Sequence, residues 1–107
     1  MRYGFVVGLI AVLMCGAAST AAEIEIKEFN LPSGTRPHDV APGPDGVVWY
    51  VSQPKGVLGR LDPATGKGEQ IPLGSGSAPH GVIVGPDGAP WITDGGQNAI
   101  VRVDPRT

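Results

Sequence analysis

Residues 79–105 read PHGVIVGPDGAPWITDGGQNAIVRVDP, and residues 37–63 read PHDVAPGPDGVVWYVSQPKGVLGRLDP. Overlaid without a gap, the two stretches share 11 of 27 positions. His38 and His80, Trp49 and Trp91, and Arg60 and Arg102 all stand 42 residues apart. The register runs backward as well, placing Leu31 on Leu73 and KEFNLP on EQIPLG. An ungapped period of this length lies in the range of propeller blades, about 40–45 residues.

Helical repeats share that range, so composition must arbitrate. No stretch after the first residues spaces its apolar side chains at 3.6, and Gly or Pro interrupts every long window. Each period instead divides into four short strands: HDVAP, VVWYVS, VLGRLD and KGEQIPL. GPDG joins the first two, because Pro presets its φ, Asp bonds back to the backbone and Gly accepts positive φ. VVWYVS is apolar on both faces, as expected of a sheet packed between neighbours. The expected fold is all-β, a partial β-propeller of four-stranded antiparallel blades. Residues 36–77 form its first blade and residues 78–107 a second one lacking its fourth strand. Residues 23–35 carry an orphan outer strand, EIEIKEFNL, placed to complete the last blade of a ring. Four to eight blades close a ring, so the sequence is expected to be a fragment or truncated product of a longer propeller. A self-contained two-sheet sandwich is the competing architecture.

The totals fit one small domain of 107 residues. Gly and Pro make up about a quarter of the chain, a share explained by the turns of a repeat. The net charge is −2 and no basic cluster exists, which leaves nucleic-acid binding without an electrostatic footprint. Residues 1–22 read as a signal peptide: a short cationic start, the apolar run GFVVGLIAVLMCGAA, then small residues ending at Ala22. That predicts an exported, periplasmic or secreted protein with no membrane attachment after cleavage. Cys15 would leave with the signal, removing thiol and disulfide chemistry from the mature chain.

Alternating loops place the strand-1 entries and strand-2 exits on one side of the disc. Simple hairpin arithmetic then sets His80 opposite Asp94 and His38 opposite Ser52, within one residue. Inner strands line a propeller channel, so the two histidines are expected as neighbours at its mouth. An imidazole beside a carboxylate can serve as a general base, which makes His80, then His38, the catalytic candidates, with Asp94 and Ser52 facing the ligand. The competing reading gives both histidines a structural bond to the next blade. Trp49 and Trp91 are expected as wedges between blades. Arg60 and Arg102 are expected to pair with Asp62 and Asp104, and Asp45 and Asp87 to serve their turns alone. No P-loop, zinc spacing or G-x-S-x-G motif is present.

The repeated wording resembles the virginiamycin B lyase (streptogramin lyase) family, whose blades read approximately P-x-G-I-x-x-G-x-D-G-x-x-W-F-T-E…I-G-R-I. The resemblance covers residues 23–107, about two blades of a seven-bladed propeller. It implies a magnesium-dependent carbon–oxygen lyase that opens the ester of a cyclic depsipeptide antibiotic without water. A base removes an α proton while the metal steadies the developing enolate charge. The family's active histidines map onto His38 and His80. The carboxylate expected two residues before one of them is Arg36 or Ala78 here, and the glutamate of W-F-T-E is Ser52 or Asp94, so the metal ligands are unknown. The implied partner is a small-molecule or cyclic peptide ligand at the propeller mouth, bound by a protein that is a monomer when complete. The two blades alone are expected to be inactive. The alternatives are a noncatalytic exported binding or scaffold module and a gluconolactonase-like hydrolase.

Overall fold

Each copy of GPDG closes a hairpin in the same way. The Gly43 N–H donates to Val47 O at 2.7 Å, and the Gly85 N–H donates to Ala89 O at 2.9 Å. Asp87 Oδ1 accepts the Ala89 N–H at 3.1 Å, the local bond that makes Asp a turn residue. Gly46 and Gly88 take φ of 84° and 79°, where a side chain would be strained.

The computed structural model describes residue 4 and residues 13–107. Seven strands form in chain order: β1 (Pro37–Pro42), β2 (Val48–Ser52), β3 (Val57–Leu61), β4 (Gly68–Pro72), β5 (Pro79–Val84), β6 (Pro90–Asp94) and β7 (Ala99–Arg102). They make a four-stranded sheet, β1-β2-β3-β4, and a three-stranded sheet, β5-β6-β7, with every pair antiparallel. This is the expected meander, repeated. The chain is all-β among its described residues, and its two sheets are propeller blades.

The blades meet face to face. Ala41, Trp49, Val51 and Leu58 of the first blade form one buried cluster with Val82 and Ile92 of the second. Trp49 is thus the wedge expected of it, whereas Trp91 is only half-buried. Ile71 and Leu73, at the end of the first blade, pack against the same cluster, as does Val101. Each fully buried side chain of this size contributes about 1.5–3 kcal/mol. On the other face of the first blade, the Tyr50 ring lies across Gly59, its cross-strand partner, where any Cβ would collide with the ring. Gln70 donates to Tyr50 Oη at 3.2 Å and to Thr35 Oγ1 at 2.9 Å, tying β4 to that ring and to the entry loop.

Residues 23–31, expected to complete the last blade of a ring, form no strand within this chain: an extended segment becomes one only where a neighbour supplies a ladder, and neither described sheet pairs with it. One expectation needs correction. The arginines pair with the turn aspartates instead: Arg60 with Asp45 at 3.3 Å and Arg102 with Asp87 at 2.7 Å. Each Arg stands 15 residues from its partner, a distance that antiparallel pairing closes across the hairpin. The signal-peptide reading rests mostly on residues outside those described. Among the described residues, no helix is long and apolar enough to cross a membrane.

Candidate functional site

The site begins with a fault in the ladder, present in both copies. Pro37 pairs with Ser52 and Asp39 with Val51, leaving His38 bulged out; Pro79 pairs with Asp94 and Gly81 with Thr93, leaving His80 bulged out. A bulge re-aims the extra side chain. Here it turns both imidazoles outward, exposed, at the seam between β1 and β5. Their ring centroids are 4.1 Å apart and the planes are inclined by 48°.

His38 Nδ1 lies 3.0 Å from the backbone oxygen of His80. A carbonyl only accepts, so Nδ1 must carry the hydrogen in this contact. In the neutral ring the lone pair then sits on Nε2, facing away from that bond. The contact joins equivalent positions of successive blades, 42 residues apart, so the neighbouring blade sets the tautomer of His38. Among the described residues no such contact orients the ring of His80, so the bond fixes the tautomer of His38 alone.

The prolines occupy the places opposite Ser52 and Asp94, one residue from the histidines, within the expected tolerance. Both are buried. Ser52 donates its hydroxyl to the Thr35 carbonyl. Asp94 accepts from Ser77 Oγ at 2.5 Å, from the Ala78 N–H at 2.9 Å and from the Gln97 N–H at 3.1 Å. Burial pushes the Asp94 carboxyl up, but the bonds from Ser77, Ala78, Gln97 and Gly96 outweigh it and hold the group below its ordinary value. The position expected to face ligand is a clasp that fastens each blade's entry loop to its second strand. A hydroxyl residue lies 17 positions ahead in both copies, Thr35 and Ser77; that recurrence was the available signal.

Asp39 was missed. Its Oδ2 accepts the Val82 N–H at 2.9 Å, reaching from one blade to the backbone of the next. That bond is the main reason its carboxyl sits below the ordinary range; the Val40 N–H and the two neighbouring histidines act in the same direction. Its repeat mate is Gly81, where a Cβ would come within 3.6 Å of Asp39 Oδ2 and 3.0 Å of Thr93 Oγ1. The sequence signal was this unlike pair inside an otherwise matching motif. Beside His38, a groove of about 350 Å³ is bordered by Phe29, Leu31, Val40, Tyr50 and Leu61.

Among the described residues, no three His, Cys, Asp or Glu side chains converge to hold a metal. The donors nearest the histidines are two imidazoles and one carboxylate already committed to Val82. Magnesium asks for six oxygen ligands in near-octahedral array, and these residues do not fit it.

Propeller blades meeting at a seam, each with a histidine bulged out of its ladder, define the class. Within that class the solved structures similar to this chain are streptogramin-cleaving lyases. A catalytically inactive histidine-to-alanine variant of virginiamycin B lyase from Staphylococcus aureus, with quinupristin, matches at 32% identity with a TM-score of 0.69. The match covers 75% of this chain and 28% of that one. Selenomethionine-substituted virginiamycin B lyase from the same organism matches at 26% identity, TM-score 0.71, over 77% of this chain and 28% of that one. A streptogramin B lyase matches at 28% identity, TM-score 0.69, over 75% and 27% respectively. The resemblance read from the repeats therefore holds in three dimensions: this chain has the propeller fold of the virginiamycin B lyases. It spans a little over a quarter of their length. No protein-family model and no curated protein matches the chain.

Proposed function

We propose that this chain is part of an exported propeller protein of the virginiamycin B lyase type, which opens the ester of a cyclic depsipeptide by elimination. One observation supports it above the others: His38, locked in one tautomer by the His80 carbonyl, presents a basic Nε2 beside an open groove. In the proposed step Nε2 takes the proton from the carbon next to a carbonyl and β to the ester oxygen. The electron pair left behind forms a carbon–carbon double bond, the alkyl carbon–oxygen bond breaks, and the carboxylate leaves. No water is consumed. His80 lends its backbone carbonyl to orient the base, while its ring borders the site. A charge developing on the carbonyl of the substrate needs a stabilising group; the residues described do not form a magnesium site, and no step is assigned to a metal.

The test is incubation of the purified full-length protein with quinupristin, followed by mass spectrometry. Elimination gives a linear product of unchanged mass. His38→Ala should lower the rate by about 10²–10⁴-fold, the range for a positioned general base. His80→Ala should cost less, since the carbonyl that orients His38 remains. A product heavier by one water would indicate the hydrolase reading. Binding without turnover would indicate a noncatalytic binding module.

A further inference from the structure

The first strands of the two blades meet at a seam without sharing a ladder. β1 and β5 belong to separate sheets, and among the described residues two hydrogen bonds join them. Both come from neighbouring side chains of the first blade. His38 Nδ1 donates to the His80 carbonyl at 3.0 Å, and Asp39 Oδ2 accepts the Val82 N–H at 2.9 Å. In a parallel ladder, the carbonyl of one residue and the N–H two positions on would pair with a single residue of the next strand. Here a side-chain donor and a side-chain acceptor take those two groups, with Gly81 between them. The first blade thus grips the backbone of the second at two points.

Both groups are available because of the bulge. It interrupts the β5–β6 ladder between Pro79 and Gly81, and the Gly81 N–H is taken by Thr93 Oγ1 at 2.9 Å. Val82 is 3% exposed, so its N–H needs a partner within the protein.

The repeat separates this grip from the needs of the blade itself. The mate of Asp39 is Gly81, and the second blade makes the same bulge and the same hairpin with no carboxylate there. Aspartate is a poor strand residue, so its place in β1 points to use at the seam. Gly81 completes the fit, since a Cβ there would stand 3.0 Å from Thr93 Oγ1 and 3.6 Å from Asp39 Oδ2. His38 gains most from the arrangement. Bulged out of its own ladder, its ring has one hydrogen bond among the described residues, the bond to His80. That bond lasts only while the acceptor is held still. The apolar cluster containing Ala41 and Val82 draws the strands together, but such attraction has no direction. The Asp39 bond supplies the direction.

We propose that Asp39 is the positioning residue for His38: by holding Val82 it fixes the His80 carbonyl where it keeps the hydrogen on Nδ1 and leaves Nε2 free as a base. Only the catalytic consequence rests on the elimination reading. The grip needs an acceptor oxygen, which an asparagine amide can supply and an alanine cannot.

Ring-nitrogen chemical shifts of the purified full-length protein, carrying isotopically labelled histidine, test this at a pH where the rings are neutral. His38→Ala identifies the signals. Wild-type His38 should carry its hydrogen on Nδ1. Asp39→Ala should return the ring to the mixed tautomers of free histidine and lower kcat on quinupristin by up to about 10²-fold, the cost of a misplaced group, with KM little changed. Asp39→Asn should keep the Nδ1 form and most of the activity. A wild-type ring with its hydrogen on Nε2 overturns the inference without any variant. So does an Asp39→Ala protein that only melts earlier while its ring signals match wild type, or an Asp39→Asn protein whose ring signals match those of Asp39→Ala. If wild type does not turn over quinupristin, the elimination reading fails and the ring signals still decide the role of Asp39.

Discussion

The first and second blades share a motif and a meander yet solve the same packing problem differently. In the first, β2 is buried on both faces: Trp49 and Val51 against the second blade, Tyr50 under the ring contact with Gly59. In the second, Ile92 and Val101 pair at the places of Tyr50 and Gly59, Trp91 is only half-buried and Ile100 is exposed. A large ring over glycine in one copy has become two aliphatic side chains in the other. The difference teaches that the repeat keeps strand register at equivalent positions, while the two residues that meet there are exchanged together.

The sharpest way to break this comparison is truncation of equivalent residues. Leu58→Ala should destabilise the fold by about 2–5 kcal/mol, the cost of a cavity at a fully buried site. Ile100→Ala, at the equivalent position, should change stability by no more than about 0.5 kcal/mol. Urea unfolding of the two variants measures both. Equal losses would mean that the two positions are packed alike.

The clasps offer a second contrast. Asp94→Ala leaves the buried donors of Ser77, Ala78 and Gln97 without their acceptor and should cost about 1–3 kcal/mol. Ser52→Ala removes a single bond to the Thr35 carbonyl and should cost about 1 kcal/mol. Thermal melts of both variants would rank them, and a larger loss at Ser52 would contradict the arrangement.

A smaller effect separates the turn ion pairs. The Arg102 guanidinium, the Ala89 N–H and Trp91 hold the Asp87 carboxyl at about 2, against an ordinary value of 3.8. A carboxyl lowered in the folded state stabilises it above the unfolded value and loses that contribution as pH falls through the folded one. Melting temperature should therefore fall between about pH 3.8 and pH 2, and Asp87→Asn should flatten that part of the curve. The looser Arg60–Asp45 pair, at 3.3 Å and exposed, should change stability by at most about 0.5 kcal/mol when Arg60 becomes Ala.

Strand order and turns were legible because a period repeats local rules: GPDG closes both hairpins, and VVWYVS and PWITD occupy equivalent strands. Trp49 at the joint followed from the same logic. What the period could not reveal was anything decided by one residue of register. The bulge at His38 and His80 has no turn residue to announce it, and it moved Pro37 and Pro79 opposite Ser52 and Asp94. The arginines were assigned to aspartates two residues away, although antiparallel pairing brings the more distant turn carboxylates within reach. Residues 23–31 carry strand chemistry without a partner, and pairing is a property of the neighbour as much as of the segment.

The adjacency of two side chains 42 residues apart carries the whole account, and nuclear Overhauser contacts between the imidazole ring protons of His38 and His80 test it most directly. With centroids 4.1 Å apart, cross-peaks between the two rings should be strong, and they should vanish in either single alanine variant. Rings that show contacts only within their own hairpins would place the histidines apart and contradict the face-to-face joint.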